Sequence, residues 1–204
     1  MKFGQVPIDE AKGGILAHSF GLASGRISKG RILDARDIQL FKKEGIEAVT
    51  VARIEPDDVA EGKAAKRLAL AVTGAGIKLE TAVGGRVNLI ALHYGVLVSP
   101  SDWLGQINSV NESLTLASLP PNAEVEPGQM VATVKVIPFA VSEKFLVEAE
   151  ELASKGKLEV LAAKSHKVGL IQTTLPGTAE KVLDKTSKVT THRLATMGSK
   201  LTFD

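Results

Sequence analysis

The sequence contains no cysteine. Disulfides, thiolate nucleophiles and cysteine-ligated zinc or iron–sulfur sites are therefore excluded together. Aromatic residues make up only 4% of the 204 residues, with one tryptophan and one tyrosine. The core must be built mostly from alanine, valine, isoleucine and leucine. Proteins that read bases by stacking need more rings than this chain carries. An excess of one charge is also missing, since 25 Lys+Arg against 23 Asp+Glu leave a net charge of +2. Such a balance creates no long-range field to hold a phosphate backbone, so no nucleic-acid partner is expected. No run of about 18 apolar residues occurs, and the opening MKFGQVPIDEAKGG has no apolar signal region. No membrane partner is expected, and the absence of cysteine fits the cytoplasm.

The four histidines, His18, His93, His166 and His192, show no paired spacing, so no protein-ligated metal is expected. The nucleophile-elbow, phosphate-loop and dinucleotide-loop glycine patterns are all absent. No catalytic residue is assigned, and whether the chain is an enzyme stays open at this point. What remains is an ordinary globular composition, 44% hydrophobic and 24% charged. Packed compactly, a chain of this mass exposes about 9,000 Å².

The periodicities predict short strands and helices in alternation. A strand is expected over residues 13–20. Asp34 reads as an N-cap with Asp37 in the first turn. Ile38, Phe41 and Ile46 form the stripe of that helix, and Gly45 is its stop. Residues 47–54 alternate as a strand. Pro56, Asp57 and Asp58 read as the start of a second helix carrying Val59, Leu68 and Val72 and ended by Gly74 and Gly76. Residues 86–99 read as a hairpin turning at His93, Tyr94 and Gly95. Ser101 reads as the cap of a helix whose face is Trp103, Ile107, Val110 and Leu114. Residues 130–136 form a strand that continues past Pro138. Ser142 opens a helix to about residue 155, with Phe145, Leu146, Ala149 and Leu152 inward, and a strand follows at 158–161.

Beyond residue 165 the pattern changes. Residues 166–175 form an apolar strand, and a helix follows over 187–200 with Val189, Leu194, Met197 and Leu201 on its stripe. The fold expected is α+β: a mixed, antiparallel β-rich domain over 1–160 with several short helices, then an incomplete α/β unit over 165–204. An apolar strand of this kind calls for cover on both faces. One β-α unit does not supply that, so the chain is expected to be truncated within a second domain. In open α/β sheets ligands bind beyond the strand ends, often at a helix N-terminus. That rule makes Thr173, Thr174 and Gly177 the candidate binding loop for an anionic ligand, with Lys185 and Thr186 at the helix entry and Arg193 on the helix as further phosphate contacts. From spacing alone, a purely structural loop is an equal reading.

Three stretches carry a family resemblance. Residues 29–56 match, at Gly30, Leu33, Ile38, Gly45, Ile46, Val49 and Val51, a pattern that resembles the molybdenum-insertase (molybdopterin molybdotransferase) family. Residues 166–201 resemble the first strand and helix of the molybdopterin-binding domain shared by that family. The runs GQVPIDEAKGGILAHS and GQMVATVKVIPFAV are similar to molybdopterin-binding proteins, some of them fused to a nucleotidyltransferase that makes the dinucleotide form of the cofactor. The resemblance implies molybdopterin or its dinucleotide as ligand, a role in molybdenum-cofactor biosynthesis, and a homodimer. It carries over to Thr173, Thr174 and the helix entry at Asp184, Lys185 and Thr186. The later glycine- and threonine-rich loop that grips the pterin phosphate in that domain has no counterpart here. The same holds for a nucleotidyltransferase's glycine loop and magnesium-binding carboxylates. The leading expectation is accordingly a non-catalytic portion of a molybdopterin-binding protein. The alternatives are a nucleotidyl- or molybdo-transferase using Thr173, Lys185 and Arg193, and a structural or dimerisation module without ligand.

Overall fold

The computed structural model describes residues 1–202. It has a mixed α+β fold of short, mostly antiparallel sheets.

The first unit comprises β1 (Lys2–Pro7), β2 (Ile15–Leu16), β3 (Phe20–Leu22), β4 (Gly25–Ile27), α1 (Ala35–Lys43) and β5 (Ala48–Arg53). Strand β5 is central, with β1 on one edge and β2 on the other, both antiparallel. The predicted strand at 13–20 shrinks to two paired residues. Gly13 turns the chain at φ +78°, and Gly14 sits so close to Val51 that a Cβ there would lie 2.8 Å from the Val51 Cβ. Helix α1 begins as its sequence indicates. Asp34 accepts hydrogen bonds from the N–H groups of Arg36 and Asp37, and the Asp37 carboxylate accepts from the Asp34 N–H. This reciprocal capping satisfies donors that the first turn otherwise leaves open. Asp37 is buried and also accepts a 2.7 Å bond from Arg31 Nε. Asp37→Ala is expected to cost about 1–2 kcal/mol, read as a lower urea midpoint. Phe41 is fully buried and meets Phe20 edge-on at 5.3 Å. Around it Ile8, Leu16, Leu33, Val49 and Val51 close a small separate core.

The chain then enters the body. Its elements are β6 (Asp58–Ala60), α2 (Glu61–Val72), β7 (Ile77–Leu79), β8 (Arg86–Ala91), β9 (Gly95–Val98), α3 (Trp103–Asn108), β10 (Leu114–Ser118), β11 (Glu124–Val125), β12 (Met130–Val136), β13 (Ala140–Ser142), α4 (Glu143–Ala153) and β14 (Glu159–Ala162). A four-stranded sheet, β10-β12-β8-β7, carries α2, with α4 packed beside that helix. Leu68, Val72, Leu89, Leu116, Val134 and Leu146 lie in one large core. Arg67 on α2 bridges Glu143 (2.8 Å) and Glu150 (2.6 Å) on α4.

Four local expectations are corrected in the body. Residues 56–58 do not start a helix. Asp58–Ala60 pairs with Ala140–Ser142, and the Glu61 N–H donates to the Phe139 carbonyl, so the helix starts at Glu61 on a tertiary partner. Residues 86–99 do not form a hairpin. Both edges of β8 are taken, by β12 and β7, and β9 leaves to pair with β11 and β14. Asp102, and not Ser101, holds the N-cap position of α3, in the left-handed region at φ +56° and without a side-chain capping bond; the helix ends at Asn108. Leu114 is buried, but in β10 and not on that helix. Strand β12 stops at Val136, and pairing resumes only at Ala140 after the Ile137–Phe139 bend that holds Pro138.

The Met1 amine joins the first unit to the body, 2.7 Å from Asp58 and 3.2 Å from Glu55. The hydrogen bond to Asp58 raises the amine pKa, and the same bond holds the Asp58 carboxyl below its usual range. The carboxylate's contribution to stability is present above its unfolded pKa and is lost as pH falls through the lowered folded value. The amine's contribution is full below its unfolded value, about 8, and is lost as pH rises through the raised folded value. Thermal midpoints measured across this range are expected to fall at both ends, and Asp58→Asn to flatten both slopes.

Residues 166–202 form a parallel β-α-β unit: β15 (Lys167–Gly169), α5 (Glu180–Thr196) and β16 (Lys200–Thr202). The predicted ten-residue strand pairs over three residues only. The helix starts seven residues earlier than its stripe indicates. No residue of α5 is buried, and Ile171 (92%) and Leu175 (79%) are open to solvent. The total accessible surface of 12390 Å² exceeds the compact value of about 9,000 Å², in keeping with how little this unit buries.

Candidate functional site

Helix α5 brings part of the predicted site together. Residues recurring at steps of four form a row along a helix, and two neighbouring rows make up one side of it. On that basis Lys181, Lys185, Thr186, Val189, Thr190 and Arg193, with Val182, line one shallow concavity of about 610 Å³. Three cations, two hydroxyls and two valines therefore share a solvent-facing surface. Lysine ammoniums and an arginine fork suit phosphate or carboxylate oxygens, and the valines supply an apolar floor.

The other predicted residues lie elsewhere. Thr173, Thr174 and Gly177 are exposed in the loop between β15 and α5, with Gly177 at φ +92°. No side-chain cap occupies the N-terminus of α5, which Ala179 opens. Asp184 is exposed but does not line the concavity, lying about 150° round the helix from the middle of that face. Thr186 lines it, but its hydroxyl already donates to the Val182 carbonyl at 2.9 Å. Lys181, Val182 and Thr190 were not singled out in the sequence. The Pro176–Glu180 segment holds the relevant signal, since a proline–glycine turn followed by an acidic residue announces a helix start.

A second cavity, about 430 Å³, lies between the first unit and the body. It is lined by residues far apart in the chain, among them Phe3, His18, Lys29, Glu61 and Phe139. No spacing rule links these positions. Among the described residues, no group of three or more His, Asp or Glu side chains is placed to hold a metal ion. No helix among them is long and apolar enough to cross a membrane.

The family model described as "Domain of unknown function (DUF8806)" matches residues 5–53. That stretch ends with β5 and contains the whole of the first apolar cluster. It is about a quarter of the chain and leaves out both concavities' main polar residues, except His18 and Lys29. No curated protein and no solved structure matches the chain.

Proposed function

We propose that this chain binds a phosphate-bearing pterin of the molybdopterin class, free or as its dinucleotide, through its C-terminal β-α-β unit. In this reading it serves molybdenum-cofactor biosynthesis as a ligand-holding and non-catalytic part. The observation that carries the reading is the shared placement of Lys181, Lys185 and Arg193 on one face of α5. This face lies in the stretch whose sequence resembles the opening of a molybdopterin-binding domain. The cations suit the phosphate, and Val182 and Val189 offer the apolar contact a flat ring system needs. The uncapped helix N-terminus favours the same anionic end of the ligand. The unburied α5 face also supports a second copy as the partner that shields the ligand.

The test is equilibrium binding of molybdopterin, its dinucleotide and inorganic phosphate to the full chain. Lys185→Ala and Arg193→Ala are each expected to weaken pterin binding about three- to ten-fold, and less at high salt because exposed charges are screened. Both positions are exposed, so unfolding midpoints should change by no more than about 0.5 kcal/mol. Failure of both pterins to bind overturns the reading. Equal binding of phosphate alone reduces it to a general anion site.

A further inference from the structure

The cleft between the first unit and the body has the chemistry of a second ligand site, independent of α5. Its volume, about 430 Å³, lies within the range of small-molecule pockets. One wall is the Ile137–Phe139 bend, and Phe3 faces it from β1. Ile137 and Phe3 are 62% and 58% exposed, although both are large apolar residues. Adjoining apolar side chains left open around a concavity mark a binding surface more often than chance exposure does.

Two charges of opposite sign without an ion-pair partner share this cavity, beside the Met1 amine, which is already paired with Asp58 and Glu55. The Lys29 ammonium lies 5.3 Å from the centre of the Phe139 ring, near cation–π range. Glu61, in the first turn of α2, is half-buried, and no hydrogen bond from the described residues reaches its carboxylate. Burial raises the Glu61 pKa, while Lys29 pulls it down. The two nevertheless form no ion pair with each other. Space for the carboxylate depends on Gly85, where a Cβ would stand 2.9 Å from Glu61 Oε2 and 2.7 Å from the Val136 carbonyl oxygen. Lys29 is exposed and keeps its water, so the half-buried Glu61 carboxylate is the group that gains from a polar partner in the cleft.

We infer that this cleft binds a small zwitterion with an apolar body, of the class of an aromatic or branched aliphatic α-amino acid. The ligand's carboxylate meets Lys29, its ammonium meets Glu61, and its side chain lies against Phe3, Ile137 and Pro138. A neutral apolar molecule leaves both charges unpaired, and a simple anion or cation leaves one. The two opposite charges therefore set the ligand's polarity, and the walls set its body.

Isothermal titration of the full chain with L-phenylalanine, L-leucine, 3-phenylpropionate and phenethylamine tests the inference. One or both amino acids should bind measurably at about 10 mM or below. The two analogues, each lacking one charged end, should bind at least about ten-fold more weakly, as expected for loss of a charge-assisted contact. Lys29→Met should weaken L-phenylalanine about ten-fold and leave phenethylamine unaffected, and Glu61→Gln should weaken it similarly and leave 3-phenylpropionate unaffected. Comparing the ligands on the unaltered chain decides the matter even if a variant folds poorly. The inference is overturned if neither amino acid binds, if all four compounds bind alike, or if both folded variants bind L-phenylalanine as the unaltered chain does. None of these results bears on the pterin reading, which concerns residues 180–196.

Discussion

Gly95→Ala is expected to destabilise the body by about 3 kcal/mol. Gly95 is the first residue of β9, the middle strand of its sheet, paired with Val125 on one side and Ala162 on the other. A Cβ at this position would lie 2.1 Å from the Leu161 carbonyl oxygen and 2.9 Å from its carbonyl carbon. Both atoms are backbone, so no side-chain rotation relieves the clash. Strand β14 has to move away from β9, and its ladder bonds lengthen as it does. Gly62→Ala is the matched control. Gly62 sits in α2 with nothing within 4 Å of the added carbon. Alanine there should stabilise the helix by about 0.5–1 kcal/mol. Trp103, the only tryptophan, is buried in the body with its indole N–H bonded to the Leu152 carbonyl at 2.9 Å. Its fluorescence in urea therefore reads both variants. If Gly95→Ala unfolds at the same urea concentration as the unaltered chain, the β9–β14 approach is not as close as described.

Phe41→Ala should remove about 3–5 kcal/mol from the first unit and leave the body folded. Phe41 is fully buried and is the largest side chain of a core that holds only nine buried residues, so its loss empties the centre of that core. The first unit's core and the body's core form two separate clusters. The connections between them are sparse: the Met1 amine with Asp58 and Glu55, the Lys2–Glu55 ion pair, and Lys29 over Phe139. Both the tryptophan and the only tyrosine, Tyr94, lie in the body. Far-ultraviolet circular dichroism sees both units, whereas Trp103 emission sees one. The expected result is a partial loss of dichroism at low urea while Trp103 emission stays native. A parallel early shift in Trp103 emission would show that the two cores unfold as one.

Some of this fold was legible in the sequence because it is specified locally. The α1 start at Asp34 and Asp37 rests on side chains three residues apart, and the β12 strand rests on simple alternation. The misreadings share a different cause. Residues 56–58 look like a helix start because they are a proline followed by two aspartates, yet strand β13, about 80 residues away, claims Asp58 and the two residues after it. Residues 86–99 look like a hairpin because the turn chemistry is right, yet β8 already has neighbours on both edges. Leu114 continues a helical spacing by coincidence, and its burial comes from β12 beside it. In the candidate pterin site, Lys185 and Thr186 were legible as polar groups at a helix entry, and Arg193 as a cation on the helix that follows. Lys181 joins them only once the true start of α5 is known, and Thr190 by its place on the same face.

The sequence by itself determined the materials of this protein. It excluded thiol chemistry, left the core few aromatics, set a small net charge, and marked α1, β5, β12 and α4 through local capping and periodicity. The tertiary structure alone decided which strands pair, that residues 1–162 hold two cores, and that α5 stays uncovered. It also brought Lys29 and Glu61 to one cleft from positions 32 residues apart in the chain. The physical reason is that caps and periods act over a few residues, whereas edge occupancy, burial and the meeting of distant charges depend on the whole chain having already packed.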